Sequence, residues 1–142
     1  MKEASDFIQH KIHNSFQKQG LMHTLGAEIF SVKEGEVIIK CPFRDGLSQQ
    51  HGYFHAGVMS SLADTACGYA ALTVMPEEAE VLSVEFKINM LRPAKTEEIL
   101  AIGTVFKAGR TLVICDGLIT DAVQETVFAK MQATMIAILP KD

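Results

Sequence analysis

Residues 49–64, Gln-Gln-His-Gly-Tyr-Phe-His-Ala-Gly-Val-Met-Ser-Ser-Leu-Ala-Asp, crowd an amide, histidines, glycines and a carboxylate against the start of a long apolar segment. A helix beginning at Ala56 or Gly57 would point unpaired backbone N–H groups and a positive dipole end at whatever lies over His55. That suits a carbonyl oxygen developing negative charge. Asp64 follows on the same helix. At 100° per residue it returns to within about 20° of the face that starts at Gly57, while the rise separates the two by roughly 10 Å along the axis. A reacting carbon has to lie about 3 to 3.5 Å from both groups, so one helix alone is poorly placed to supply them. A two-fold homodimer removes the difficulty, because the Gly57 end of one helix can face Asp64 of its partner.

Each of these residues also has a plainer reading. An Asp in a small-residue helix commonly accepts a hydroxyl, here from Thr65 or Ser61. If buried, it must be hydrogen-bonded, line a wet pocket, or carry a raised pKa. His51 and His55, four apart and followed by Asp64, could ligate a metal, but the two-histidine helical signature with its Glu is missing. His10, His13 and His23 read as solvated. Gly52 and Gly57 could serve only a turn and a close packing contact. Cys67 reads as packing, and Val127, Met131 and Met135 as core.

The elements that must position these residues follow from pattern. Ile8, Ile12 and Phe16, with Phe7 beside them, give an amphipathic helix over residues 3–19, ending before Gly20. Segments 25–32 and 36–42 form a hairpin around Lys-Glu-Gly, closed by Pro42. Residues 43–54 have no period and make a loop. The helix that begins near His55 runs to about Val74, before Pro76. It is apolar on most sides and rich in small residues, which predicts burial against a sheet. From Val81, the apolar Leu82, Val84, Phe86, Ile88 and Met90 alternate with Ser83, Glu85, Lys87 and Asn89, giving a strand that ends before Pro93. Strands over 97–107, 110–120 and 125–139 complete the order: helix, two strands, long helix, four strands.

With 142 residues the chain reads as a single domain over 1–142, able to bury a core without a staple. A hydrophobic share of 48% is too high for a disordered chain. Cys41, Cys67 and Cys115 lack CxxC spacing and read as reduced, packed thiols, which excludes zinc ribbons and disulfide frameworks. The acidic start and the lack of a membrane-length apolar run predict a cytoplasmic protein that spans no membrane. A net charge of −4 without a basic stripe argues against nucleic acid as partner.

At His55-Ala56-Gly57, Asp64 and the strand Val-Leu-Ser-Val-Glu-Phe-Lys-Ile-Asn-Met-Leu-Arg-Pro, the sequence resembles the hotdog-fold acyl-CoA thioesterases of the phenylacetate-pathway (PaaI-like) type. The resemblance covers residues 21–139, after an N-terminal helix within 1–20. It implies an α+β hotdog fold: a long central helix wrapped by an antiparallel β-sheet, paired through sheet edges into homodimers and commonly assembled into tetramers. It also implies roles. Gly57 would supply the N–H that polarises a thioester carbonyl, and Asp64 of the partner subunit would attack it or activate water. Gln49 would orient that water, His55 would shape the turn and touch the thioester, and Ser83 would place a hydroxyl near the carboxylate. Ala56 stands where the family has its first glycine, and Gln49 where Asn is commoner. Arg92, Lys95, Lys107 and Arg110, at strand ends, are candidates for the phosphates of coenzyme A, although such residues are also often merely solvated. No metal or organic cofactor is implied, since coenzyme A belongs to the substrate. Two rivals are an acyl-thioester dehydratase or hydratase, and a non-catalytic acyl-CoA binder.

Overall fold

Ser5 starts the first helix by accepting a hydrogen bond from the Ile8 N–H at 3.2 Å, which satisfies one of the orphan donors of the first turn. In the computed structural model, which describes residues 1–141, helix α1 (Asp6–Gln17) buries Ile8, Ile12 and Phe16 as one stripe. Phe7 lies outside that stripe and faces solvent. The chain does not pass from Gly20 into a strand. Gly20–Leu25 forms a second helix, α2, because burial of Met22 and Leu25 three residues apart draws this segment onto the body. Gly26 stops α2 at φ 72°, a left-handed cap that glycine adopts without strain. The first strand of the hairpin therefore starts later than its pattern suggested. It is β1 (Glu28–Lys33), paired antiparallel with β2 (Glu36–Pro42).

Helix α3 (Ala56–Leu72) starts and ends close to where the sequence places it. At its far end, Thr73 donates to the Ala70 carbonyl and accepts from the Gly35 N–H at 2.8 Å, which ties the helix to the hairpin turn. The remaining strands are β3 (Glu80–Met90), β4 (Glu98–Ala108), β5 (Leu112–Asp121) and β6 (Val127–Ile138). All six strands join one antiparallel sheet in the order β1-β2-β4-β5-β6-β3, and five of them, β2 to β6, contact α3. This is the hotdog fold: a buried helix in the curve of a sheet.

Small side chains let the helix sit directly on the strands. Ala63, Ala66 and Cys67 are buried toward a pair of glycines, Gly103 on β4 and Gly117 on β5, which lie opposite each other in register. A Cβ at Gly103 would come within 2.4 Å of the Ala66 carbonyl, so only glycine permits this approach. Gly117 is similarly placed, with the Cys67 sulfur 3.0 Å from where a Cβ would stand.

The strand with the clearest alternation contains an irregularity that alternation hides. A bulge between Ser83 and Glu85 shifts the pairing of β3 with β6. Ser83 lies opposite Met135, and Phe86, Ile88 and Met90 lie opposite Ala133, Met131 and Ala129. Directly opposed residues share a face, so Ser83 joins Phe86, Ile88 and Met90 on the helix side rather than Glu85, Lys87 and Asn89 on the other. β3 is also an edge of the sheet, with Leu82 and Val84 more than half exposed. Among the described residues, no helix is long and apolar enough to cross a membrane.

Candidate active site

The loop before α3 is held from inside. Phe54 is buried and packs edge-on against Phe43 at 5.1 Å between ring centroids, and the His55 N–H donates to the Leu47 carbonyl. Gln49 folds back on its own loop, where its side-chain oxygen accepts from the N–H groups of His51 at 2.6 Å and Tyr53 at 3.2 Å. The oxygen is thereby engaged, and the NH2 end of this side chain is the part left to meet a ligand or water.

His55 is the N-cap of α3. Its backbone is extended, and its Nδ1 accepts from the Gly57 N–H at 2.7 Å. The amide expected to polarise a carbonyl is thus capped by the histidine beside it, and the imidazole must carry its proton on Nε2 or turn aside. Neither residue is buried: His55, Ala56 and Gly57 all face solvent. Ser60 and Ser61 spend their hydroxyls on the Ala56 and Gly57 carbonyls within the helix.

Asp64 is half-buried on α3 and accepts a hydrogen bond from Ser83 Oγ at 2.6 Å. The donor is neither Ser61 nor Thr65. The β3 bulge delivers it, by turning Ser83 toward the helix. A short hydroxyl-to-carboxylate bond of this kind fixes the orientation of the carboxylate. Beside it opens a cavity of about 140 Å³ whose lining includes Gln19, Tyr69 and Met135 as well as Asp64 and Ser83. Met135, read as core from sequence, is both core and cavity wall. Gln19 and Tyr69 were not singled out in the sequence. Tyr69, the one aromatic in a helix of small residues, was the available signal, since it stands just over a turn beyond Asp64.

The two halves of the constellation occupy different places on one chain. Gln49, His55 and Ala56 line a second cavity of about 520 Å³, together with Arg92, whereas Asp64 and Ser83 line the smaller one. The basic candidates divide in the same way. Lys95, exposed, lies with Arg92 at the end of the sheet where α3 begins, since the Phe54 N–H bonds the Ala94 carbonyl. Lys107 and Arg110 are exposed around the β4–β5 turn, on the level of Ser83, because Ala108, Val113, Met135 and Ser83 lie across neighbouring strands. Among the described residues, no three His, Cys, Asp or Glu side chains cluster as metal ligands would, so His51, His55 and Asp64 do not form such a group.

The cysteines are buried and mutually unpaired. Burial pushes the Cys41 thiol up to about 11 and that of Cys115 up to about 12, and it raises Cys67 as well, with Cys115 and Asp64 nearby adding to the shift. They are packing residues and poor nucleophiles.

A long central helix wrapped by this antiparallel sheet is the architecture of the hotdog fold. Residues 51–128 match the model of the thioesterase superfamily, and the chain belongs to that family. The fold agrees closely with the crystal structure of a thioesterase family protein from Silicibacter pomeroyi, at TM-score 0.89 and 41% identity over 94% of this chain and 99% of that one. It also overlays on the PaaI protein of the phenylacetic acid degradation operon of E. coli, at TM-score 0.86 and 96% coverage of both chains; at 23% identity this likeness speaks for the fold alone. Among curated proteins, a 1,4-dihydroxy-2-naphthoyl-CoA hydrolase from Listeria monocytogenes is 29% identical over 107 residues, covering 75% of this chain and 86% of its own. The chain is a thioester hydrolase with the hotdog fold.

Proposed function

We propose that the protein hydrolyses acyl-CoA thioesters to free coenzyme A and a carboxylic acid, at a site shared between two copies of the chain. The observation that carries this reading is the Ser83–Asp64 hydrogen bond at 2.6 Å, which holds a half-buried carboxylate at the mouth of a cavity. An oriented anion of this kind is suited to take a proton from water or to attack a carbonyl carbon.

Pairing through the β3 edge supplies what one chain lacks. This edge strand is eleven residues long and exposes Leu82, Val84, Phe86 and Met90, an apolar ribbon with unpaired backbone groups that a second copy can cover. An antiparallel partner would bring the Gly57 end of one α3 toward Asp64 of the other. It would also bring Arg92 and Lys95 of one copy near Lys107 and Arg110 of its partner, a cluster suited to phosphate groups.

In the general-base course, water adds to the thioester carbon while its proton passes to Asp64. The oxyanion is stabilised by amides at the start of α3, once His55 releases Gly57, and the intermediate collapses with the thiolate of coenzyme A leaving and taking the proton back from Asp64. Each well-placed amide contributes about 3 kcal/mol to the barrier reduction. The test is release of free thiol from acyl-CoA by the wild type and by Asp64→Ala. Wild-type turnover that Asp64→Ala loses, with the oligomer intact by size-exclusion chromatography, supports the reading; unchanged turnover removes Asp64 from the chemistry.

A further inference from the structure

The cavity beside Asp64 is lined in part by residues outside the reacting group. Past the carboxylate, α3 presents Gly68, whose missing side chain leaves open the space in front of the Met135 sulfur, 4.0 Å from where a Cβ would stand. Tyr69 comes next and is almost wholly buried. Its hydroxyl accepts from Gln19 Nε2 at 2.7 Å and pairs with Ser15 Oγ at 2.9 Å. Gln19 is the N-cap residue of α2, so the junction of the two N-terminal helices forms one wall of this space. The larger cavity, at the Gly57 end, is nearly four times as roomy and carries the cationic Arg92.

Resting on the proposed acyl-CoA hydrolysis, we infer that the cavity beside Asp64 takes the acyl group and that Gln19 and Tyr69 set its maximum length. The open, cation-bearing cavity then receives the coenzyme A arm. A volume of about 140 Å³ is close to the roughly 150 Å³ that accommodates one benzene ring, which gives room for about six carbons. A longer chain meets the amide of Gln19, which is braced through Tyr69 and cannot yield without breaking a hydrogen bond.

The experiment is a kcat/KM profile of the intact oligomer over acetyl-, butanoyl-, hexanoyl-, octanoyl-, decanoyl- and benzoyl-CoA, for the wild type, Gln19→Ala, Tyr69→Phe and Gly68→Ala, with melting temperatures as a check on folding. A methylene that a pocket cannot hold typically costs about tenfold or more, so wild-type kcat/KM should fall at least about tenfold between hexanoyl and decanoyl. Gln19→Ala should raise the ratio of decanoyl to butanoyl kcat/KM about tenfold, and Tyr69→Phe should do the same more weakly. Gly68→Ala, whose added methyl fits at ordinary contact distance, should move the limit the other way, toward butanoyl. Equal wild-type turnover of hexanoyl and decanoyl, or an unchanged profile in folded Gln19→Ala and Gly68→Ala, overturns the assignment while leaving acyl-CoA hydrolysis standing. Absence of wild-type turnover on every thioester overturns both.

Discussion

The start of α3 and its middle are built on opposite principles. At the start, His55, Ala56 and Gly57 face solvent, and the Gly57 amide is satisfied by a neighbouring side chain able to let it go. At the middle, Asp64 shares its helix with Ala63, Ala66 and Cys67, which are pressed against glycine backbone, and its carboxylate is held by a strand. The contrast separates two jobs. The first region has to exchange partners as a ligand arrives and leaves, and the second has to keep one charge in one orientation.

The sharpest way to break this contrast is to damage each region in a different copy. Asp64→Ala and Gly57→Pro should each be inactive alone; proline is sterically tolerated in a first turn but lacks the N–H. If the two regions of one site come from different copies, mixing and refolding the two variants should restore about a quarter of wild-type turnover, because half the pairs are mixed and each mixed pair keeps one whole site. No recovery in refolded mixtures that contain verified mixed pairs would mean that the regions do not act together across protomers. Next in size is the packing difference. Gly103→Ala forces a methyl into the Ala66 carbonyl and should cost about 1–3 kcal/mol in urea unfolding, whereas Gly57→Ala meets only the movable His55 ring and should cost about 1 kcal/mol or less. Equal losses would deny that the middle is the tightly packed region. Smaller still, Ser83→Ala should leave the fold intact and lower kcat by roughly tenfold through a less well-oriented carboxylate.

The mildest effect is in alkaline stability. Burial raises Cys41 to about 11 and Cys115 to about 12 from an ordinary value near 9, so the folded state keeps protons that the unfolded chain gives up. Stability from this source is complete below pH 9 and is lost as pH rises through 9 toward 11 and 12. A Cys115→Ala variant should therefore show a shallower fall in urea midpoint between pH 9 and 10.5; an identical slope would contradict the burial argument. The same thiols should stay silent toward a disulfide reagent at neutral pH until the protein is unfolded.

The fold was legible because its long elements have strong periods: α3 and β3 to β6 lie within a few residues of where composition and alternation put them. The short helix α2 was not, since six residues carry too little period to reveal a turn stabilised by packing of Met22 and Leu25. The site was half legible. Residue types at 49–64 marked the region, but the strand alternation assigned Ser83 to the face opposite Phe86, and only the bulge, a property of pairing with β6, reverses that. The capping of Gly57 by His55 and the folding of Gln49 onto its own loop depend on local geometry that residue types leave open. The glycines Gly103 and Gly117 gave a signal in their strands that an apolar pattern overlooks.

Because α3 rests on bare glycine backbone, one wall of the Asp64 cavity has no slack: the helix cannot retreat toward β4 and β5 to admit something bulkier. Adaptation to new ligands has to come from the other wall, where α1 meets α2. A library randomised at positions 15 and 17–21, sparing the buried Phe16 and Met22, should then yield broadened variants that still melt near the wild-type temperature, while one randomised at positions 101–105 should yield mostly protein that does not fold.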